Sequence, residues 1–277
     1  MALECLTHLV QLCCVISSLQ MRGDEVSVQT TAGAELKLTR VSLQCRCRHD
    51  AATVGSEQGA KKLPCSEHLG IATERFQARL PLGIIKEIVP ADGQQNGSAK
   101  QLKSFVVTLG DGTRLTGTVS FSHVVGDSER GTAKVPLEEI RFVRFSKPKE
   151  SADVSASKGT HLAKLVLVSL PEQKELTLAR AGFVVGPNCE WNCDAPAKST
   201  DQMRFADGTV VKWDDISSLA SSPNSLRTSD RIKVKLKNGS LLNPIPIDAF
   251  AVDADATVGK YVIPIRVPFA KYFRIEF

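Results

Sequence analysis

The stretch FVVTLGDGTRLTGTVSF, residues 105–121, decides how the rest of the chain is read. Phe105, Val107 and Leu109 alternate with Val106 and Thr108, Asp111-Gly112 follows at once, and Leu115 and Val119 continue beyond it. Such alternation puts one face of a strand in a core and the other in water. Asp-Gly between two β-prone runs predicts a hairpin through a type I′ turn, with positive φ at both central residues.

The same pattern returns as IKVKLKNGSLLNPIPI, residues 232–247, around Asn238-Gly239. Both stretches lead to similar endings, AKVPLEEIRFVRF (133–145) and YVIPIRVPFAKYFRIEF (261–277). In each, a Pro (Pro136, Pro264) precedes a short link and a closing run that ends in Arg-x-Phe or Arg-Ile-Glu-Phe. Two weaker copies follow from this template. EVSVQTTAGAELKLTRVSL (25–43) reads as a hairpin around Ala32-Gly33, closed by RFQARLPLGIIKEIVP (75–90). LAKLVLVSLPEQKELTLARAGFVV (162–185) reads as a hairpin around Glu172-Gln173, closed by MRFADGTVVKWDDISSLAS (203–221) with Trp213 at the Pro position.

Polar, small-residue segments at 90–101, 146–160 and 221–230 suit exposed linkers, and the middle one divides the chain into halves. The expected fold is therefore all-β. It comprises about four tandem barrel-like or curled-sheet repeats of about five strands each, in two double-repeat halves. Their bounds are 24–90 with an inserted loop, 103–146, 161–221 with a second inserted loop, and 230–277. Pro244, Pro246 and Pro268 place their segments at sheet edges or bulges, because Pro cannot donate to a ladder.

Composition bounds the function. With 277 residues and 42% hydrophobic content the chain can build a core without disulfides. A net charge of +5 permits an acidic partner without demanding one, and aromatics at 5% argue against a base-stacking platform. Leu6 to Leu19 is a mostly apolar run of signal-peptide length followed by small residues, so residues 1–20 are expected to direct export. It is too short to span a membrane comfortably, and no other segment reads as an anchor. Of the eight cysteines, five remain if that segment is removed, and an odd number cannot all pair.

No nucleophile elbow, His-Glu-x-x-His helix or phosphate loop is present, so no catalytic residues, cofactor or metal are assigned and no enzyme is expected. Asp214-Asp215 reads as an N-cap for a short turn, since adjacent carboxylates on a strand face opposite ways. Cys189 and Cys193, four apart in a loop, could form a disulfide, stay as thiols, or supply half a zinc site with Cys45, Cys47 and His49. Lys233, Lys235 and Lys237 share one face of a strand, with Arg231 beside them. Such a stripe can bind acidic polymer, or it can be a solvated face that keeps an edge strand from pairing. Arg46, Arg48 and His49, with Lys61 and Lys62, make a second basic cluster in an inserted loop.

Two family resemblances follow. Residues 105–145 resemble a short repeat, roughly L-x-D-G-x-x-L-x-G … P-L-x-x-I-x-x-I-x-F, of secreted and envelope proteins of planctomycete-type bacteria, where it often precedes a sugar-binding NPCBM module. That resemblance implies an extracytoplasmic place and carries no catalytic residues. VKLKNGSLL (234–242) with RVPFAKYFRIEF (266–277) also resembles the strand pattern of Sm-like or SH3-like small barrels. The Sm RNA site does not transfer, because Asp248-Ala249-Phe250-Ala251 lacks Met-Asn and Arg266 is followed by Val267. The expected function is a non-enzymatic exported binding or structural module of the bacterial cell envelope, engaging protein or acidic glycan. The alternative is a cytosolic Sm-like nucleic-acid-binding protein.

Overall fold

The structure is a computed structural model, and it describes residues 25–45, 64–65, 68–91, 104–146, 162–168, 173–185, 198–221, 232–242, 249–269 and 273–277. The described residues are all-β: strands joined by turns and three short 3-10 segments, with no α-helix. Residues 1–24, Arg46, Arg48, His49, Lys61, Lys62, Cys189, Cys193, Arg231, Pro244, Pro246 and Asp248 lie outside the described residues.

The first half carries β1 (Val26–Thr30), β2 (Glu35–Cys45), β3 (Pro64–Cys65), β4 (His68–Ala72), β5 (Gln77–Pro81), β6 (Ile85–Pro90), β7 (Phe105–Leu109), β8 (Arg114–Val119), β9 (Phe121–Ser128), β10 (Gly131–Pro136) and β11 (Ile140–Phe145). The second half carries β12 (Leu162–Val168), β13 (Gln173–Val185), β14 (Lys198–Thr200), β15 (Gln202–Arg204), β16 (Val210–Lys212), β17 (Ile216–Ser221), β18 (Ile232–Leu236), β19 (Leu241–Leu242), β20 (Ala249–Val258), β21 (Tyr261–Pro268) and β22 (Phe273–Glu276).

Strand pairing crosses the boundaries drawn from sequence. β1 pairs with β2 and also with β11, β2 continues onto β9, and β9 pairs with β10. One curled five-stranded unit is thus β1, β2, β9, β10 and β11. Its neighbour is β4 to β8, where β6 pairs with β7, β7 with β8, β8 with β4 and β4 with β5. The two closing strands, β6 and β11, pair with each other at the centre. The unit over residues 68–119 is therefore contiguous in sequence and nested inside the other.

The second half repeats the scheme. β12 pairs with β13 and β22, β13 with β20, and β20 with β21. Nested within that unit are the β15–β16 hairpin and the β17–β18–β19 ladder, with β17 and β22 as the paired closing strands. The halves join where β21 lies against β5, Ile265 opposite Ala78 and Arg266 opposite Gln77.

Local chemistry explains the hairpins and corrects their geometry. In four turns a Gly at φ 85 to 89° (Gly33, Gly112, Gly208, Gly239) donates its N–H to the carbonyl three residues back. The residues before these glycines keep negative φ, so each turn is type I followed by a left-handed Gly bulge, not the expected type I′. Asp111, Asp207 and Asn238 each accept the N–H two residues on, at 2.9 Å, which lets a side chain stand in for a turn bond. That hydrogen bond from Thr209 holds the Asp207 carboxyl below its ordinary value.

Other expectations shift. Gln173 sits in β13 opposite Val168, a strand residue and not the turn residue expected of it, and Glu172 lies outside the described residues. Pro268, not Pro264, ends its strand as Pro81 and Pro136 do; Pro264 sits mid-strand opposite Asp255. In the third copy Lys212 holds the Pro position, and Trp213 fills the apolar place held by Leu82 and Leu137. Asp214 and Asp215 lie inside the 3-10 segment after Lys212, neither capping it nor lying on a strand.

The long strands β2 and β13 bend so that each pairs with different strands along its length: β1 then β9 for β2, β12 then β20 for β13. Each bend is a bulge: Arg40-Val41 oppose Gly126 alone, and Arg180-Ala181 oppose Ala254 alone. Arg40 and Arg180 take φ of 52 and 51°, a left-handed conformation costly for a residue with a Cβ. An ion pair holds each, Arg40 with Asp127 and Arg180 with Asp255.

The junction between halves is tied by Asp111, whose Oδ2 accepts the Lys260 N–H at 2.7 Å and the Thr113 hydroxyl at 3.0 Å. Gly259, at φ 62°, touches this carboxylate so closely that a Cβ would lie 3.1 Å from Asp111 Cγ and nearer still to Asp111 Oδ2 and Thr113 Oγ1. Burial pushes the Asp111 carboxyl up, but the hydrogen bonds from Thr113 and Lys260 outweigh it and hold the group below its ordinary value. A depressed folded-state pKa means the stabilisation is full above the unfolded carboxylate range and is lost as pH falls through the folded value. Gly259→Ala is expected to cost about 1–3 kcal/mol in urea unfolding. In an Asp111→Ala, Thr113→Ala background the cost should fall to the backbone strain alone, and an unchanged cost would contradict these contacts.

Candidate functional site

The basic stripe is displayed by a firmly built sheet. Ile232 and Val234 are fully buried, so alternation turns Lys233 and Lys235 outward, and both are exposed. β18 ends at Leu236, which corrects the strand placement of Lys237: it lies in the turn, exposed, its N–H donated to the Asp215 carbonyl at 2.8 Å. β18 is not a bare edge either, since β17 pairs along it and β19 covers Val234 and Lys235.

The register brings in residues far away in sequence. Lys233 lies opposite Ala220, and Ala220 opposite Arg274; Lys235 lies opposite Ser218, and Ser218 opposite Glu276. Neighbouring strands are about 4.8 Å apart, so Lys233 and Arg274 flank Ala220 across about 10 Å of sheet. Arg274 and Glu276 form an ion pair of 2.6 Å along their own strand. Among the described side chains, the β18–β17–β22 face thus carries Lys233, Lys235 and Arg274 with one carboxylate, Glu276.

The first half fills the corresponding places differently. There Arg144 lies opposite Glu87 and binds it at 2.8 and 3.2 Å, with its guanidinium 5.0 Å from the Phe142 ring centre; the same two places in the second half are held by Glu276 and Ser218. Ser218 stands where the first half has Glu87, and Ala220 stands in the place of Val89. The second half therefore sets Lys233 and Arg274, the latter paired with Glu276, on either side of Ala220, where the first half has Val106 opposite Val89. Periodicity found Lys233 and Lys235. Arg274 was missed because its approach depends on β17 lying between β18 and β22.

Among the remaining candidates, His68 is on β4 and His123 on β9, with His123 Nδ1 2.9 Å from Ser122 Oγ. Cys45 and Cys65 end up on adjacent strands, Leu43 being the residue opposite Cys65. Among the described residues no group of three His, Cys, Asp or Glu is placed to hold a metal, and no helix is long and apolar enough to cross a membrane. Comparison with family models finds no match, and comparisons with curated proteins and with solved structures likewise find none.

Proposed function

We propose that the protein is a non-enzymatic, exported binding or structural module of the bacterial cell envelope, and that it engages acidic glycan on the β18–β17–β22 face. The observation that supports this most is the Lys233–Ala220–Arg274 row, where two cations flank a small residue at a place that the first half fills with Val106 opposite Val89. Along β18, Lys233 and Lys235 repeat at about 7 Å. A polymer with a negative group on successive sugars meets such a row with several charges at once, while the paired strands hold the cations apart without ordering cost. Export is supported by the apolar run Leu6–Leu19.

Binding to a soluble polyuronic acid, followed by calorimetry at two salt concentrations, tests the reading. Lys233→Gln with Arg274→Gln should weaken binding about tenfold or more at low salt, since charge-assisted contacts are worth about 1.5–3 kcal/mol each. Lys37→Gln, a cation on the first half, should leave it unchanged. Equal losses from both, or tighter binding to single-stranded RNA than to the glycan, would reject the proposal in favour of diffuse charge or a nucleic-acid partner. The mass of the native protein from separated cell fractions checks export, with a mature start between about Ser18 and Asp24 expected.

A further inference from the structure

We infer that the edge of β10 is a self-association surface, pairing antiparallel with β10 of a second copy of this chain. The argument starts from three strands of one design. β5 reads Gln77-Ala78-Arg79-Leu80-Pro81, β21 ends Pro264-Ile265-Arg266-Val267-Pro268, and β10 ends Thr132-Ala133-Lys134-Val135-Pro136. Each runs small or apolar, basic, aliphatic, Pro, and each precedes the turn into a closing strand. Two of the three are already partnered, with each other: β5 and β21 form the junction between the halves. Among the described residues β10 pairs with β9 alone.

The covered and uncovered strands differ in burial at the same positions. Ala78 and Ile265, which face each other across the junction, are both fully buried. Ala133 stands at the equivalent place and is only partly buried. The apolar residue after the Pro behaves alike: Leu82 and Phe269 are buried, whereas Leu137 is partly exposed. The β10 edge thus leaves uncovered the apolar positions that its sister strands bury.

The existing junction also sets the register. Ala78 and Ile265 occupy the same position in the shared pattern and lie opposite one another, and Arg266 lies opposite Gln77, two places earlier in the pattern. Transferred to two copies of β10, this puts Ala133 opposite its own copy on a two-fold axis, with Thr132 opposite Lys134 in both directions. An isologous contact of this kind closes as a dimer and does not propagate. Backbone polarity agrees. Outward-facing groups alternate along an antiparallel strand. Pro81, Pro136, Pro264 and Pro268 share parity with Gln77, Lys134 and Arg266, so the prolines fall where no bond to the inner neighbour is lost. Lys134 and Thr132 then offer the outward N–H and carbonyl groups.

Sedimentation of the full chain tests this. A weak dimer is expected at tens of micromolar, dissociating on dilution, because a contact of a few ladder residues is small. Lys134→Pro removes one outward donor at each of two symmetry-related places and should raise the dimer dissociation constant about tenfold or more, with far-UV circular dichroism unchanged. Ala133→Cys should give an oxidised covalent dimer far more readily than wild type or Glu129→Cys, since directly opposed strand residues lie within disulfide reach. A monomer at every concentration, a dimer indifferent to Lys134→Pro, or crosslinking no better than the controls would overturn the inference. Capture of an extended peptide by monomeric protein at this edge would overturn it too.

Discussion

Trp213→Ala should cost about 3–5 kcal/mol in urea unfolding, the range for removing a large buried aromatic side chain. Trp213 is 1% exposed, and its ring meets Phe183 edge-on at 4.7 Å and Phe277 edge-on at 5.0 Å. Phe183 is on β13 and Phe277 follows β22, so both partners belong to the outer unit of the second half while Trp213 belongs to the nested one. The indole is the bolt between them. Its Nε1 is buried with no hydrogen-bond partner. Trp213→Phe therefore loses packing without orphaning an acceptor, and should cost only about 1–2 kcal/mol. Equal costs for the two variants would show that the ring contacts do not carry the coupling.

Gly117→Ala is expected to cost about 3 kcal/mol or more, at the upper end for overpacking. β8 runs between β7 and β4 here, with Gly117 opposite Phe105 on one side and Thr118 opposite Ala72 on the other. A Cβ on Gly117 would lie 2.7 Å from the Ala72 carbonyl carbon, closer still to its oxygen, and 3.0 Å from Thr73 Cα. These are backbone atoms of a paired strand and its turn, and no rotamer change relieves them. Gly112→Ala makes the useful contrast. Its Cβ would meet nothing within 4 Å, yet φ is 88°, so only the left-handed conformation is charged, about 1–2 kcal/mol. If Gly117→Ala cost no more than Gly112→Ala, β4 and β8 would not approach as closely as described.

Much of the strand content was legible because its causes are local. Ile232 and Val234 alternate with lysines, and Gly112 and Gly239 are needed for positive φ. These signals also yielded Lys233 and Lys235 of the candidate site. The bends in β2 and β13 were not read, because Arg40 and Arg180 are poor residues for the left-handed region. What permits them is an ion pair to Asp127 or Asp255, a partner distant in sequence. Glu-Leu-x-Leu-x-Arg at 35–40 and again at 175–180 was the trace left in the sequence. The exchange of strands between units was harder still. β6 and β11 present the same alternation, so either satisfies β1 by hydrophobicity. The choice is steric, since Ser120 alone links β8 to β9 and sends them to different units.

Nesting also fixes an order of completion. As the chain emerges from its N-terminus, every pairing within the 68–119 unit can form once Val119 has been made, whereas Val26 must wait for Phe145. The second half has the same character, the early strands β12 and β13 depending on β20 and β22 near the end. Until then β1, β2, β12 and β13 are apolar strands with open edges, exposed to pairing with a neighbouring nascent chain. The inner units are thus scaffolds on which the outer ones close, and crowding on a polysome would favour swapping of the outer strands between chains.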